Sequence, residues 1–192
     1  MRMRRQMTLL LAAAAILCCG CSRFSSRPAQ IQSTKEGPTM SLTLTSSAFA
    51  DGAAIPRRYT CDAEDLSPDL AWSGAPAATQ SFALIADDPD APMGTWTHWL
   101  IWNIPAKATL LPGDTPKIES LDNGARQGKN DFKRIGYGGP CPPPGKPHRY
   151  FFKLYALSVR LELKPGASKA DLEAAIKPHV LAEARYMGTY GR

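Results

Sequence analysis

Two stretches constrain this chain more than any other. Ser81 to Ala86 (SFALIA) and Thr97 to Ile104 (THWLIWNI) are strand-like runs that are apolar on both pleat faces. A strand with one solvated face alternates apolar and polar residues, whereas one that is apolar throughout must be covered on both sides. These two therefore belong at the centre of a sheet with a layer packed on each face. Shorter strand signals surround them at Ser41 to Ser47, Arg58 to Thr60, Asp69 to Trp72 and Tyr150 to Val159. The connections carry turn chemistry such as Ser67-Pro68, Gly74-Ala75-Pro76 and Pro112-Gly113-Asp114. This pattern predicts a mostly antiparallel β domain with long ordered loops. Helical spacing is confined to the end. Ser168 and Asp171 form a capping-box-like start before Leu172, Ala175 and Ile176. Val180, Leu181, Ala184 and Met187 extend the pattern past Pro178, so two short helices are expected there.

The N-terminus has a different character. Arg2, Arg4 and Arg5 precede an uncharged apolar run from Met7 to Leu17, the layout of an export signal. The run is shorter than the roughly 20 apolar residues that a membrane-crossing helix needs. Gly20-Cys21 at its end looks like a bacterial lipobox, with Cys18 where leucine is usual. Residues 1–20 are thus read as a lipoprotein signal peptide, with Cys21 as the lipidated residue. Residues 21–40, rich in Ser, Pro and Gln, form a flexible tether of roughly 25 Å, and residues 41–192 form the domain. Anchoring through more than one acyl chain would be stable. The location implied is the periplasmic side of a bacterial envelope, with the outer membrane favoured in enteric-type cells because Ser22 is no retention signal.

Removing residues 1–20 takes three arginines and no acid, which lowers the net charge from +6 to +3. No cluster of Lys and Arg remains, which argues against nucleic acid as a partner. Cys61 and Cys141 could pair in an oxidising compartment or stand as buried free thiols.

Chemistry concentrates in three places. Asp87-Asp88-Pro89-Asp90 puts three carboxylates in four residues directly after an apolar strand. Such a cluster is kept more readily where a cation, a histidine or a backbone donor offsets it. His98 opens the second apolar strand, on one pleat face with Leu100, Trp102 and Ile104. His148 follows Gly136-Tyr-Gly-Gly-Pro-Cys-Pro-Pro-Pro-Gly-Lys-Pro147, a loop stiffened by prolines and opened by glycines. Such a loop can hold backbone N–H groups in a fixed concave array suited to a small anion.

Together with Tyr59-Thr60-Cys61-Asp62, Leu66-Ser67-Pro68, Gly188-Thr189-Tyr190 and the stretch His148-Arg149-Tyr150, these motifs resemble the phosphatidylethanolamine-binding protein family, in its bacterial YbhB/YbcL-like, Raf kinase inhibitor-like branch. The resemblance spans about residues 41–192. It implies a β-sandwich of a large and a small antiparallel sheet with C-terminal helices, and a small anion pocket at one end. By position the pocket residues are Asp88 and Asp90, His98, Gly139, Cys141, His148 and Tyr150. Cys141 stands where eukaryotic relatives carry a glycine whose backbone faces the ligand, which implies a role through its N–H. Thr97 replaces a second histidine of many eukaryotic members, so kinase regulation does not carry over. The implied ligand is a phosphate-containing small molecule or a phospholipid headgroup, with one Asp orienting an imidazole and the other accepting from loop backbone or a ligand ammonium.

Three functions compete. The leading one is a non-enzymatic binding protein with no catalytic residue, cofactor or metal. The second is an inhibitor of a partner protease or kinase. The third is a hydrolase using a metal on Asp88, Asp90, His98 and His148, or a histidine nucleophile. No serine nucleophile elbow and no HExxH spacing supports the last.

Overall fold

The computed structural model describes residues 41–192. The expected signal peptide of residues 1–20, the expected tether of residues 21–40 and Cys21 lie outside the described residues. Eight strands and one α-helix follow in order: β1 Thr43–Thr45, β2 Leu70–Ser73, β3 Ser81–Asp88, β4 Trp96–Pro105, β5 Leu110–Leu111, β6 Arg126–Gln127, β7 His148–Leu157, α1 Lys169–Ile176 and β8 Val180–Tyr190. They form a three-stranded sheet in the order β1-β2-β5 and a five-stranded sheet in the order β6-β4-β3-β7-β8, with every strand pair antiparallel.

The doubly apolar strands lie where the sequence places them. All eight residues of β3 are buried, and it sits between β4 and β7. On one face of the large sheet, Phe82, Leu84, Trp99, Ile101 and Phe152 pack with Leu44, Leu70 and Trp72 of the small sheet. On the other, Ala83, Ile85, Leu100 and Trp102 pack with Leu161 and with Leu172 and Ile176 of α1. Each such large side chain contributes about 1.5 to 3 kcal/mol of burial, so the two layers together stabilise a sheet that neither could alone. The capping box is present: Ser168 Oγ accepts from the Asp171 N–H, and the Asp171 carboxylate accepts from the Ser168 N–H.

Three local expectations are corrected. Arg57–Tyr59 is a 3-10 turn and not a strand. The second expected helix is β8, preceded by a 3-10 turn at Lys177–His179. Ala184, Tyr186 and Gly188 alternate inward along β8, and its backbone satisfies the otherwise open edge of β7 from His148 to Leu157. Gly188 is required there, because a Cβ would stand 2.5 Å from Ile55 Cγ1.

The third correction concerns His98. Ala86 pairs with Trp99 and Asp87 with Thr97, so His98 is an extra residue in β4. This β-bulge turns the imidazole away from Leu100 and Trp102 to the small-sheet side, where its ring meets Tyr150 edge-on at 5.1 Å. A second irregularity, with Asn103 at φ 56°, returns Ile104 to that same side.

Candidate functional site

Antiparallel pairing of Asp87 with Phe151 sets the end of β3 beside the start of β7, and the bulged start of β4 flanks them. Asp88, His98 and His148 therefore converge at one end of the large sheet. With Cys141 they form the polar part of a cavity of about 290 Å³. Trp96, Phe132, Met93 and Pro142 supply its apolar walls. Trp96 and His98 each meet the Phe132 ring edge-on, at 5.4 Å.

The two histidines are held by unlike acceptors. His148 Nδ1–H donates to Asp88 Oδ2 at 2.8 Å, and the other Asp88 oxygen accepts the Asp90 N–H at 2.8 Å. Asp88 thus orients an imidazole and closes its own turn. His98 Nδ1 lies 2.6 Å from the Gly138 carbonyl oxygen; a carbonyl only accepts, so Nδ1 carries the proton. Burial pushes the His98 pKa below its ordinary value, against the smaller opposing pull of the Gly138 carbonyl and the Asp88 charge. The ring is accordingly neutral at neutral pH, and its Nε2 is a lone-pair acceptor. In both rings Nε2 is the nitrogen without a protein partner among the described residues.

The loop from Gly138 to Pro144 is not the open array of N–H donors that its composition predicts. The Gly138 N–H donates to the His98 carbonyl at 2.9 Å, and the Gly139 N–H to Asp65 Oδ1 at 2.6 Å. Prolines 140, 142, 143 and 144 have no N–H to give. That leaves the Cys141 N–H, which donates to no group among the described residues. Gly139 is structural in another way: a Cβ there would stand 2.5 Å from the Tyr59 carbonyl oxygen. Cys141 is disulfide-bonded to Cys61, which ties this cavity wall to the turn after Arg57–Tyr59 across 80 residues of sequence. The Arg192 guanidinium lies over that bond, 2.8 Å from Cys61 Sγ and 2.7 Å from Asp62 Oδ1.

Two further residues of the sequence reading stand back from the cavity. Asp90 faces Arg149, which grips both carboxylate oxygens at 2.7 and 2.8 Å and adds its backbone N–H at 3.0 Å. Those bonds hold the Asp90 carboxyl down to about 2, so no ligand ammonium need be invoked for it. Tyr150 is 2% exposed and supports the His98 ring from beneath. Its hydroxyl makes no hydrogen bond among the described residues, and burial, with the Asp88 charge next in weight, raises its pKa. Sequence reasoning missed Trp96, Phe132 and Asp65. Arg149 was present in the His-Arg-Tyr stretch, where charge complementarity to Asp90 was the available signal. Among the described residues no three His, Cys, Asp or Glu side chains converge as a metal ion would require.

The two antiparallel sheets, with a cavity lined by two buried histidines at one end of the larger, define the class to which the comparisons point. Residues 45–191 match the family model of phosphatidylethanolamine-binding protein. A UPF0098 protein of Methanothermobacter thermautotrophicus is 52% identical over 151 residues, covering 79% of this chain and 99% of that one. The corresponding protein of Aquifex aeolicus is 51% identical over 149 residues, 77% of this chain and 86% of its own. Among solved structures, E. coli YbcL, described as a member of the mammalian PEBP family, is similar at 37% identity and TM-score 0.74, covering 79% and 98% of the two chains. A phosphatidylethanolamine-binding protein homologue of Chlamydia trachomatis gives 37% identity and TM-score 0.73 over 80% and 99%. The chain belongs to the phosphatidylethanolamine-binding protein family.

Proposed function

We propose that this PEBP-like protein binds, and does not turn over, a small phosphate-class oxyanion that carries its own hydrogen-bond donor, such as a phosphomonoester or a phosphoethanolamine headgroup. The observation that carries this reading is the unequal pair of imidazoles on one cavity. His148 has the Asp88 carboxylate at Nδ1, the counter-charge that a ring donating through Nε2–H to an anion calls for, and the Cys141 N–H offers a second donor. His98, held neutral, accepts through Nε2. A ligand with both an anionic oxygen and an O–H or N–H satisfies all three groups, whereas a bare polyanion leaves the His98 lone pair facing negative charge. The family's name points to a lipid whose headgroup has this mixed character.

Residues 1–40 extend the reading: acylation at Cys21, with residues 22–40 as the link, would hold the domain at the periplasmic face of a bacterial membrane, where phospholipid headgroups are at hand. Incorporation of labelled palmitate that disappears in Cys21→Ser tests this part.

The pocket is tested by titrating the chain with inorganic phosphate and with phosphoethanolamine while following the imidazole NMR signals of His98, His148 and His179. Saturable shifts at His98 and His148, abolished by His148→Ala, are expected, with phosphoethanolamine the tighter ligand. Shifts that do not saturate, or that appear equally at His179, would remove the pocket from the account.

A further inference from the structure

Asp87 and Asp88 are neighbours on β3 and serve opposite faces of the sheet. Asp88 belongs to the histidine cavity. Asp87, 1% exposed, lies on the side of α1, and its Oδ2 alone accepts from both Lys153 Nζ at 2.8 Å and Lys169 Nζ at 2.9 Å. One carboxylate offsets one of those charges. A third cation, Arg185, stands directly opposite Lys153 in the β7–β8 register. Like charges directly opposed across an antiparallel pair are destabilising, so sheet formation gives no reason to put them there.

The surrounding acids restore part of the balance and leave Arg185 without an ion pair among the described residues. Asp90 is closed off by Arg149. Glu173 reaches Lys169 only at 3.6 Å from an exposed position. Glu183, two residues along β8, lies opposite Tyr155 and makes no ion pair with Arg185. The Arg185 guanidinium instead rests 4.7 Å from the Phe151 ring centre, with Arg149 5.8 Å from the same ring. Arg149, Arg185, Phe151, Lys153 and Lys169 line an open depression of about 320 Å³ with Asp87 at its wall.

We propose that this basic depression is a second anion site, separate from the histidine cavity and on the other face of the sheet, which takes a phosphate-class oxyanion either free or as an anionic lipid headgroup. Asp87 pre-positions two ammonium groups, so little side-chain freedom is lost when an anion arrives. Arg185 supplies the planar fork that matches two oxygens of one phosphate group. The site does not depend on what the histidine cavity binds.

The test titrates inorganic phosphate into the full chain by calorimetry, in the wild type, in His148→Ala and in Arg185→Gln. Expected are two phosphates per wild-type chain, one remaining in His148→Ala, and that one weakened about 5- to 10-fold when Arg185→Gln is added. Arg185 is exposed, so its replacement leaves the fold intact, and Lys169→Gln repeats the test from α1. Sedimentation with phosphatidylcholine vesicles, with and without phosphatidylglycerol, separates the sources. Capture that needs both phosphatidylglycerol and Arg185 assigns a lipid headgroup, and saturable free phosphate binding without capture assigns a soluble ligand. Phosphate and vesicle binding that are both indifferent to Arg185 and Lys169 would overturn the proposal.

Discussion

His98 and His148 occupy the same end of the same sheet and open onto one cavity, yet the acceptor at Nδ1 gives them different chemistry. His148 leans on the carboxylate of Asp88, so a charged ring there has a counter-charge at 2.8 Å. His98 leans on a neutral backbone carbonyl in a fully packed wall, so its charged form has little to compensate its burial. The contrast teaches that one residue type used twice can give a single cavity two imidazoles in unlike surroundings. What must differ is the second layer: a side chain from β3 behind one ring, and a loop pinned by Asp65 and a disulfide behind the other.

The comparison can be broken from its supports inward. Replacing the disulfide with Cys61→Ser/Cys141→Ser removes the staple of the His98 wall alone. A cross-link spanning about 80 residues restrains the unfolded chain by about 4 kcal/mol, so the urea midpoint should fall accordingly while the Asp88–His148 bond persists. Asp88→Asn attacks the other wall. It should weaken phosphate binding about 10-fold or more, because the carboxylate that orients the His148 ring and lies 2.8 Å from its Nδ1 is replaced by a neutral amide. An unchanged affinity in Asp88→Asn would mean that the carboxylate only closes its turn.

The third test is pH. His98 takes up a proton less readily folded than unfolded, so below its ordinary value near 6.5 the unfolded chain holds more protons. Stability from this group is therefore level above about pH 6.5 and declines as the pH falls below it, until the folded ring is itself protonated. His98→Asn keeps a donor for the Gly138 carbonyl and should flatten that part of the decline in denaturant titrations across the pH range. Equal slopes in the two proteins would contradict a neutral His98. The smallest effect belongs to Asp90. Its bond to Arg149 is exposed and contributes under about 1 kcal/mol, present above about pH 4 and lost as the pH falls toward 2. Asp90→Asn should leave phosphate affinity within about twofold, as befits a residue outside the cavity.

The parts of this architecture that were legible in the sequence are those in which one segment carries its own instruction. β3 and β4 are apolar on both faces and could only be central, and Ser168 with Asp171 marks a helix start without outside help. The parts that were not legible depend on a partner far along the chain. Val180, Leu181, Ala184 and Met187 fit a helical stripe, while Ala184, Tyr186 and Gly188 fit an alternating one, and the open edge of β7 decides between them. The loop before His148 reads as a set of anion donors until Asp65, 74 residues away, is found holding the Gly139 N–H. Asp90 reads as a ligand group until Arg149 closes on it. The side of the sheet to which His98 points is set by pairing between β3 and β4, and no property of THWLIWNIP alone reveals it.

That bulge gives the cavity an arithmetic character. The imidazole faces the cavity because β4 holds one residue more than β3 between two matched rungs of the ladder. Deleting a single position between Trp96 and His98 while keeping every chemical group of the site would cancel the surplus and carry the ring to the side of α1, among Leu100 and Trp102. At this wall, the direction of a side chain is written in the length of a strand as much as in the identity of its residues.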